Sequence, residues 1–302
     1  MIKDFTLQSE WDGLRLYGLV YEPEAEPRAV IQLVHGMCEY KERYQKTMEY
    51  FCSKGYVVAC HDQRGHGQSV FSEEDSGYFG DKTGNAIVQD AVQVTKYLKA
   101  EYPSLPLIVF GHSMGSMIAR CMLQGNEELI DKLVICGTPN DNALVEIAIA
   151  LTKTIALFRG KKHRSRMLAE LSVGNGDKRF PGEGRGAWLS SNRENIAEYF
   201  ANPKSSFIFT CNGFENLFRL MRRAYNKKKY AVTKPDLPVH FVSGGDDPVM
   251  GNEIKWFKAV EALRAVGYTN VTGKLYQGLR HEILNEKDNE EVLLDLLAFF
   301  EA

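Results

Sequence analysis

Three side chains, Ser113, Asp247 and His281, and two backbone positions, Met37 and Met114, carry the chemistry this sequence offers. Ser113 sits in Gly111-His112-Ser113-Met114-Gly115, after the apolar run Leu107–Phe110 and before the helix-like stretch Ser116–Leu123. A strand, then G-x-S-x-G, then a helix is the context of a nucleophile elbow. Flanking glycines spare so tight a turn the collisions of a Cβ. The hydroxyl then stands proud at a helix N-terminus, where free N–H groups and the helix dipole favour developing negative charge. The pattern alone also fits a Gly-rich turn with an idle serine, so its partners decide its meaning.

A serine hydroxyl is a weak nucleophile at neutral pH; it needs a base, and the base needs an orienting acid. On such an elbow the chain order is Ser, then Asp or Glu, then His. Of the seven histidines, His35, His61, His66, His112, His163, His240 and His281, only His281 follows both the acidic loop and a strand. It lies in Gly278-Leu279-Arg280-His281-Glu282, after the predicted strand Val271–Tyr276. The acid lies in Gly244-Gly245-Asp246-Asp247-Pro248, after the predicted strand Val239–Ser243. Asp246 and Asp247 both fit; the rigid exit at Pro248 favours Asp247. His240, inside a strand, is expected in the core, and His112 is expected to point away from the catalytic rim. The oxyanion needs preset donors. The N–H of Met114, just after the serine, supplies one. The N–H of Met37, in the His35-Gly36-Met37 turn, supplies the second. A further cluster, Asp62-Gln63-Arg64-Gly65-His66-Gly67-Gln68-Ser69, reads as a loop braced by its own hydrogen bonds.

The elements that must position these groups follow from apolar patterning. Two alternating runs, Phe5–Gln8 and Leu14–Tyr21, flank an Asp12-Gly13 turn. Then strands and helices alternate. Ala29–Val34, Val57–Cys60, Leu107–Phe110 and Leu133–Cys136 are short apolar runs, as expected of strands covered on both faces. Tyr44–Ser53 and Ala86–Glu101 read as helices; Ile87, Ala91, Val94 and Leu98 form one apolar face of the second. From about 140 to 234 the rhythm breaks into helical segments, Ala143–Phe158, Arg166–Leu171 and Phe214–Tyr225, with a Gly-rich stretch from Gly174 to Gly186. After Pro235 the strands Val239–Ser243 and Val271–Tyr276 alternate with helices Glu253–Val266 and Val292–Phe300. The chain thus reads as an α/β core, residues 1–139 and 235–302, with a helical cap insertion at 140–234. Such insertions enter at the C-terminal ends of strands, where ligands also bind.

Composition bounds the function. A net charge of −2 over 302 residues gives no electrostatic case for nucleic acid. No run of 18 apolar residues is present, and Met1-Ile2-Lys3-Asp4 lacks the layout of a signal peptide. The six scattered cysteines, Cys38, Cys52, Cys60, Cys121, Cys136 and Cys211, contain no C-x-x-C and read as free thiols of a cytoplasmic protein. Cys60-His61 beside His35 and Cys38 fits no zinc spacing. The basic runs 161–166 and 219–229 read as solvated faces, or as an attraction for phosphate-bearing lipid. Ala143–Phe158, apolar on most faces, reads as a helix packed on the core or as one that touches an acyl chain or a membrane surface.

Four motifs in order, His35-Gly36-Met37-Cys38-Glu39-Tyr40-Lys41-Glu42-Arg43-Tyr44, Asp62-Gln63-Arg64-Gly65-His66-Gly67, Gly111-His112-Ser113-Met114-Gly115 and Arg280-His281-Glu282, resemble the monoacylglycerol lipase/lysophospholipase group of α/β-hydrolases, often filed with serine aminopeptidases. The likeness runs from about Ala29 onward and continues more weakly through Trp188-Leu189-Ser190 and Phe207-Ile208-Phe209-Thr210. It implies an α/β-hydrolase fold, a mostly parallel eight-stranded sheet flanked by helices, with the insertion as a lid over an acyl pocket. It implies a serine ester hydrolase without metal or cofactor, acting on monoacylglycerol- or lysophospholipid-like esters. Ser113 would be nucleophile, His281 base, Asp247 orienting acid, and the amides of Met37 and Met114 the oxyanion hole. Met37-Cys38 replaces a small pair usual after H-G and would narrow the pocket near the reacting carbon. The rival readings are a peptidase or thioesterase on the same triad, or a ligand receptor that kept the fold without turnover.

Overall fold

Every second residue of the central runs faces the same side of one sheet, and each side has its own core. The computed structural model describes residues 1–172 and 176–302, so the first residues of the 174–186 stretch lie outside the described residues. The strands are β1 (Ile2–Gln8), β2 (Arg15–Tyr21), β3 (Ala29–Val34), β4 (Tyr56–His61), β5 (Leu107–His112), β6 (Lys132–Cys136), β7 (Val239–Gly244) and β8 (Val271–Tyr276). They form one sheet in the order β1-β2-β4-β3-β5-β6-β7-β8. The β1/β2 and β2/β4 pairs are antiparallel and all others parallel. This is the mostly parallel eight-stranded arrangement expected of an α/β-hydrolase.

The helices are α1 (Gln45–Ser53), α2 (Ala86–Glu101), α3 (Met114–Met122), α4 (Val145–Arg159), α5 (Arg166–Ser172), α6 (Arg193–Ala201), α7 (Cys211–Ala224), α8 (Glu253–Arg264) and α9 (Glu290–Glu301). Val30, Val57, Leu107 and Val109 pack with Ile87 and Leu98 of α2, Met117 of α3 and Trp256 of α8. Their sequence neighbours Ile31, Val58, Ile108 and Phe110 pack with Met48 and Phe51 of α1 and with Val292 and Leu296 of α9. Burial on both faces is why these strands read as unbroken apolar runs rather than as alternating ones.

Helices α4 to α7 lie between β6 and β7. α6 was not foreshadowed by apolar periodicity. Its sequence, RENIAEYFA, is polar and buries only Asn195 and Ile196; its start is fixed by Asn192, whose side chain accepts from the Glu194 amide. α7 is the opposite case, burying Phe214, Leu217, Phe218 and Leu220. On α4, Leu157 and Phe158 are 80% and 78% exposed, while Ile149 and Thr152 are buried.

The loop 62–69 is braced as expected. Asp62 accepts from the Lys41 amide (2.8 Å), the Lys41 ammonium (3.0 Å) and the Gln68 amide (2.9 Å). Arg64, fully buried, donates to Asp90 and Asp12 and to the Phe79 carbonyl. His240 departs from the expected core position: it is only half buried in β7, stacked on Phe299, with Nδ1 2.8 Å from Thr272 Oγ1. β7 lies beside the edge strand β8, and the ring is partly open there. Five of the six cysteines are buried and Cys52 is intermediate; all are free thiols.

Candidate functional site

Parallel strands end on one rim, and the loops that leave β3, β5, β7 and β8 there bring the candidate groups together. Between β5 and α3, Ser113 holds φ 53° and ψ −116°, outside the regions that non-glycine residues ordinarily occupy. The turn survives because Gly111 and Gly115, two residues to either side, lack side chains. A Cβ on Gly115 would stand 1.9 Å from the Val34 carbonyl oxygen, and one on Gly111 would stand 2.4 Å from the Gly115 carbonyl oxygen. The strained serine is thus wedged against the end of β3.

After β7, Asp247 is fully buried and Asp246 exposed. Asp247 Oδ1 accepts the Val249 amide at 2.8 Å, and Oδ2 accepts the Ser243 hydroxyl at 3.1 Å. His281 Nδ1 donates to the same Oδ2 at 2.9 Å. With Nδ1–H given to a carboxylate, the basic lone pair of His281 is on Nε2. Burial disfavours the charged ring, but the charge and hydrogen bond of Asp247, helped by Glu282 and Glu39, outweigh it and raise the His281 pKa above its ordinary value.

Ser113 and His281 border a single cavity of about 390 Å³, which Met37, Trp188, Tyr199 and Phe207 also line. A second cavity, about 650 Å³, opens from the same Ser113 and Met37 and runs between Met117, Leu144, Ile147 and Leu217. Its lining is mostly apolar. Met114 also borders it. Among the described residues neither the Met37 nor the Met114 amide donates to a protein acceptor. Met37 borders both chambers with Ser113, and Met114 borders the larger one. Among the described residues no group of three or more His, Cys, Asp or Glu side chains converges as a metal site.

A second expectation, after that for His240, is overturned. His112 does not point away from the rim: it lines the smaller chamber, with its ring 4.7 Å from that of His281. Positive φ at the next residue turns the chain, and the close approach of Gly137 leaves the two rings room to meet; a Cβ on Gly137 would lie 3.2 Å from His281 and 3.3 Å from His112. Burial and the neighbouring His281 hold His112 well below the usual imidazole pKa, so it packs as a neutral ring.

Several groups at the site carried no role in the sequence reading. Trp188 lies with its ring 5.2 Å from His281, and its carbonyl accepts the His281 amide. The Glu282 amide donates to the Leu189 carbonyl at 2.8 Å, and Arg280 donates to the Ala187 carbonyl at 2.7 Å. The histidine loop is thereby tied to the segment between α5 and α6. Arg43 donates to Glu282 at 2.7 Å and to Asn195 at 3.0 Å. Only the adjacency of Glu282 to His281, and the presence of Glu39 and Arg43 beside the H-G turn, signalled these in the sequence.

Comparison with known proteins follows the same geometry. The monoacylglycerol lipase of Mycolicibacterium smegmatis is 26% identical over 288 residues, 95% of this chain and 93% of that protein. The human monoglyceride lipase is 25% identical over 285 residues, 91% of this chain and 82% of that protein. A thermostable carboxyl esterase from Bacillus coagulans, solved with glycerol, superposes with a TM-score of 0.89 at 26% identity, covering 99% of this chain and 98% of that one. The model of the family described as serine aminopeptidase, S33, matches residues 25–288. With a match over most of its length and the sheet topology above, this chain is an α/β-hydrolase of the serine aminopeptidase, S33, family.

Proposed function

We propose that the chain hydrolyses carboxylic esters of the monoacylglycerol or lysophospholipid type by two-step acyl transfer. Ser113 attacks the ester carbonyl while His281 Nε2 takes its proton, and Asp247 holds the ring in the required tautomer. The amides of Met37 and Met114 receive the oxyanion. The alcohol leaves with the proton from His281, and water repeats the sequence to release the acid and free Ser113.

The observation that carries this reading is the buried 2.9 Å His281–Asp247 bond set on the same cavity as a serine with φ 53°. The apolar 650 Å³ chamber suits the acyl chain. The smaller chamber, with Glu39 and Glu282 inside and Arg166 and Arg185 at its exposed rim, suits a polar alcohol. Residues 140–234 act as a lid on a core of 1–139 and 235–302, and the exposed apolar end of α4 is a surface for transient contact with a lipid aggregate.

A fluorophosphonate should label Ser113 in the folded protein. Ser113→Ala should abolish labelling and lower kcat on p-nitrophenyl esters at least ~10³-fold. Unlabelled Ser113, or turnover that survives the substitution, overturns the reading. Rates on monoacylglycerol, lysophosphatidylcholine, thioesters and aminoacyl anilides then assign the preference; faster cleavage of anilides than of esters would favour a peptidase.

A further inference from the structure

Glu39 sits in the turn that follows β3, with its carboxylate folded back onto its own loop. Oε2 accepts the Gly36 amide at 2.6 Å and the Tyr44 hydroxyl at 3.1 Å. The turn is tight. Cys38 holds φ 57°, and a Cβ on Gly36 would lie 2.7 Å from Glu39 Oε2 and 3.0 Å from the Cβ of Ser113. Between the two bonded ends, Gly36 and Glu39, lies Met37, whose amide has no protein acceptor among the described residues. The carboxylate is thus a clamp closed around the residue that would present an oxyanion donor.

The clamp is joined to the histidine. Arg43 Nε stands 3.6 Å from Glu39 Oε1, and the same guanidinium donates to Glu282 Oε2 at 2.7 Å. Asn195 and Asn285 donate to that Oε2 at 2.6 Å and 3.1 Å. Glu39 and Glu282 are each 3% exposed. Removing carboxylates from water is costly unless each is paired and hydrogen-bonded, and hydrophobic side chains of like volume could fill this space without that cost. A buried array that spans the H-G turn and the residue next to His281 is therefore better understood as a device for holding geometry than as a source of stability.

We propose that Glu39 is a positioning residue for acyl transfer: by accepting the Gly36 amide it fixes the turn so that the Met37 N–H faces the oxygen that becomes negative. Arg43 carries that position across to Glu282, so the oxyanion donor and the base are set by one connected array. The inference rests on the ester-hydrolase reading above and adds a role to it. It predicts that loss of the Glu39 acceptor weakens binding of the tetrahedral species and leaves binding of the ground state nearly unchanged, because only the former carries a full charge on oxygen.

The test uses the full-length protein with a soluble p-nitrophenyl ester and a trifluoromethyl ketone, which adds to the serine and puts a negative oxygen in the oxyanion position. Glu39→Ala should lower kcat by about 10²-fold, as loss of one oxyanion donor does, with KM within about 3-fold of native. The ketone should weaken in step with kcat. Glu39→Gln, whose amide oxygen still accepts the Gly36 N–H, should recover most of that loss. Native kcat in Glu39→Ala, a fall in kcat with unchanged ketone affinity, or no recovery in Glu39→Gln overturns the proposal. Should Glu39→Ala fail to fold, Glu39→Met, which keeps volume and has no acceptor, is read in its place; failure of both to fold marks the carboxylate as purely structural and also overturns it. Inactive native protein, or activity retained by Ser113→Ala, sinks the ester-hydrolase reading instead, so the two failures are distinct.

Discussion

His281 is pulled in opposite directions. Burial favours its neutral form, while the Asp247 charge and hydrogen bond, with Glu282 and Glu39 behind them, favour the protonated one and prevail. Its pKa is therefore raised, and in the proposed mechanism only the neutral ring takes the serine proton. The acidic limb of kcat/KM should thus lie above the ordinary imidazole value of about 6.5. Asp247→Asn removes the largest raising influence, so the limb should shift to lower pH while kcat falls about 10⁴-fold, as loss of the orienting acid does in serine triads. A pH–rate profile on an activated ester measures both. A native limb at or below 6.5, or one that stays in place in Asp247→Asn, contradicts the assignment. Asp246 and Asp247 are adjacent and identical, so only the exit at Pro248 favours Asp247 in the sequence. The fold separates them by burial: one carboxylate faces inward to Ser243 and His281, and the other faces solvent.

At the scale of elements, α4 carries an unusual surface. Leu144, Ile147, Leu157 and Phe158 are all more than half exposed, yet Leu144 and Ile147 also line the larger chamber. On the proposed function, a helix that borders the larger chamber and shows apolar side chains to solvent would receive substrate from a lipid surface. Leu157 and Phe158 line neither chamber. A Leu157→Asp/Phe158→Asp variant should leave hydrolysis of a soluble short-chain ester unchanged and lower hydrolysis of monoacylglycerol in vesicles at least ~10-fold, since each side chain contributes roughly 1.5–3 kcal/mol when buried. Equal rates on vesicles would remove the surface role. Apolar periodicity revealed α2 and α7 because they bury broad stripes. It was silent on α6, whose buried positions include Asn195, a side chain engaged by Arg43 and Glu282.

Across the whole molecule, four histidines are buried with depressed pKa values: His61 and His66 down to about 4, His35 and His112 well below the ordinary value, burial being the main cause in each. The folded state binds fewer protons than the unfolded chain wherever pH lies between these values and about 6.5, so stability falls as pH drops below about 6.5 and levels off near 4 for His61 and His66. His281, with a raised pKa, has the opposite sign: its stabilising share is full below about 6.5 and is lost as pH rises through its folded value. With His240 also lowered by burial, five histidines against one favour loss of stability in acid, while Glu39, raised to about 7 by burial and Glu282, works against it between about 4.5 and 7. Urea midpoints should decline from pH 7.5 to pH 5. Both ring nitrogens of His61 lack a partner among the described residues, so His61→Leu should flatten part of that decline. An unchanged slope in the variant would show that His61 does not contribute.

The sequence by itself determined what is local or ordered along the chain. Paired apolar runs specified eight strands, glycines at Gly111 and Gly115 specified the elbow, and the succession of serine, acid and histidine after strand ends specified one rim. The runs and the elbow survive because they depend on neighbours within a few residues, and the succession survives because folding leaves chain order unchanged. Contacts between distant segments depended on tertiary structure. The burial that separates Asp247 from Asp246, the turn of His112 toward His281, and the link from Arg43 to Glu282, 239 residues apart, exist only once the sheet has aligned the strand ends. No spacing encodes such distances, because strand order β4-β3-β5-β6-β7-β8 places loops side by side that the chain keeps far apart.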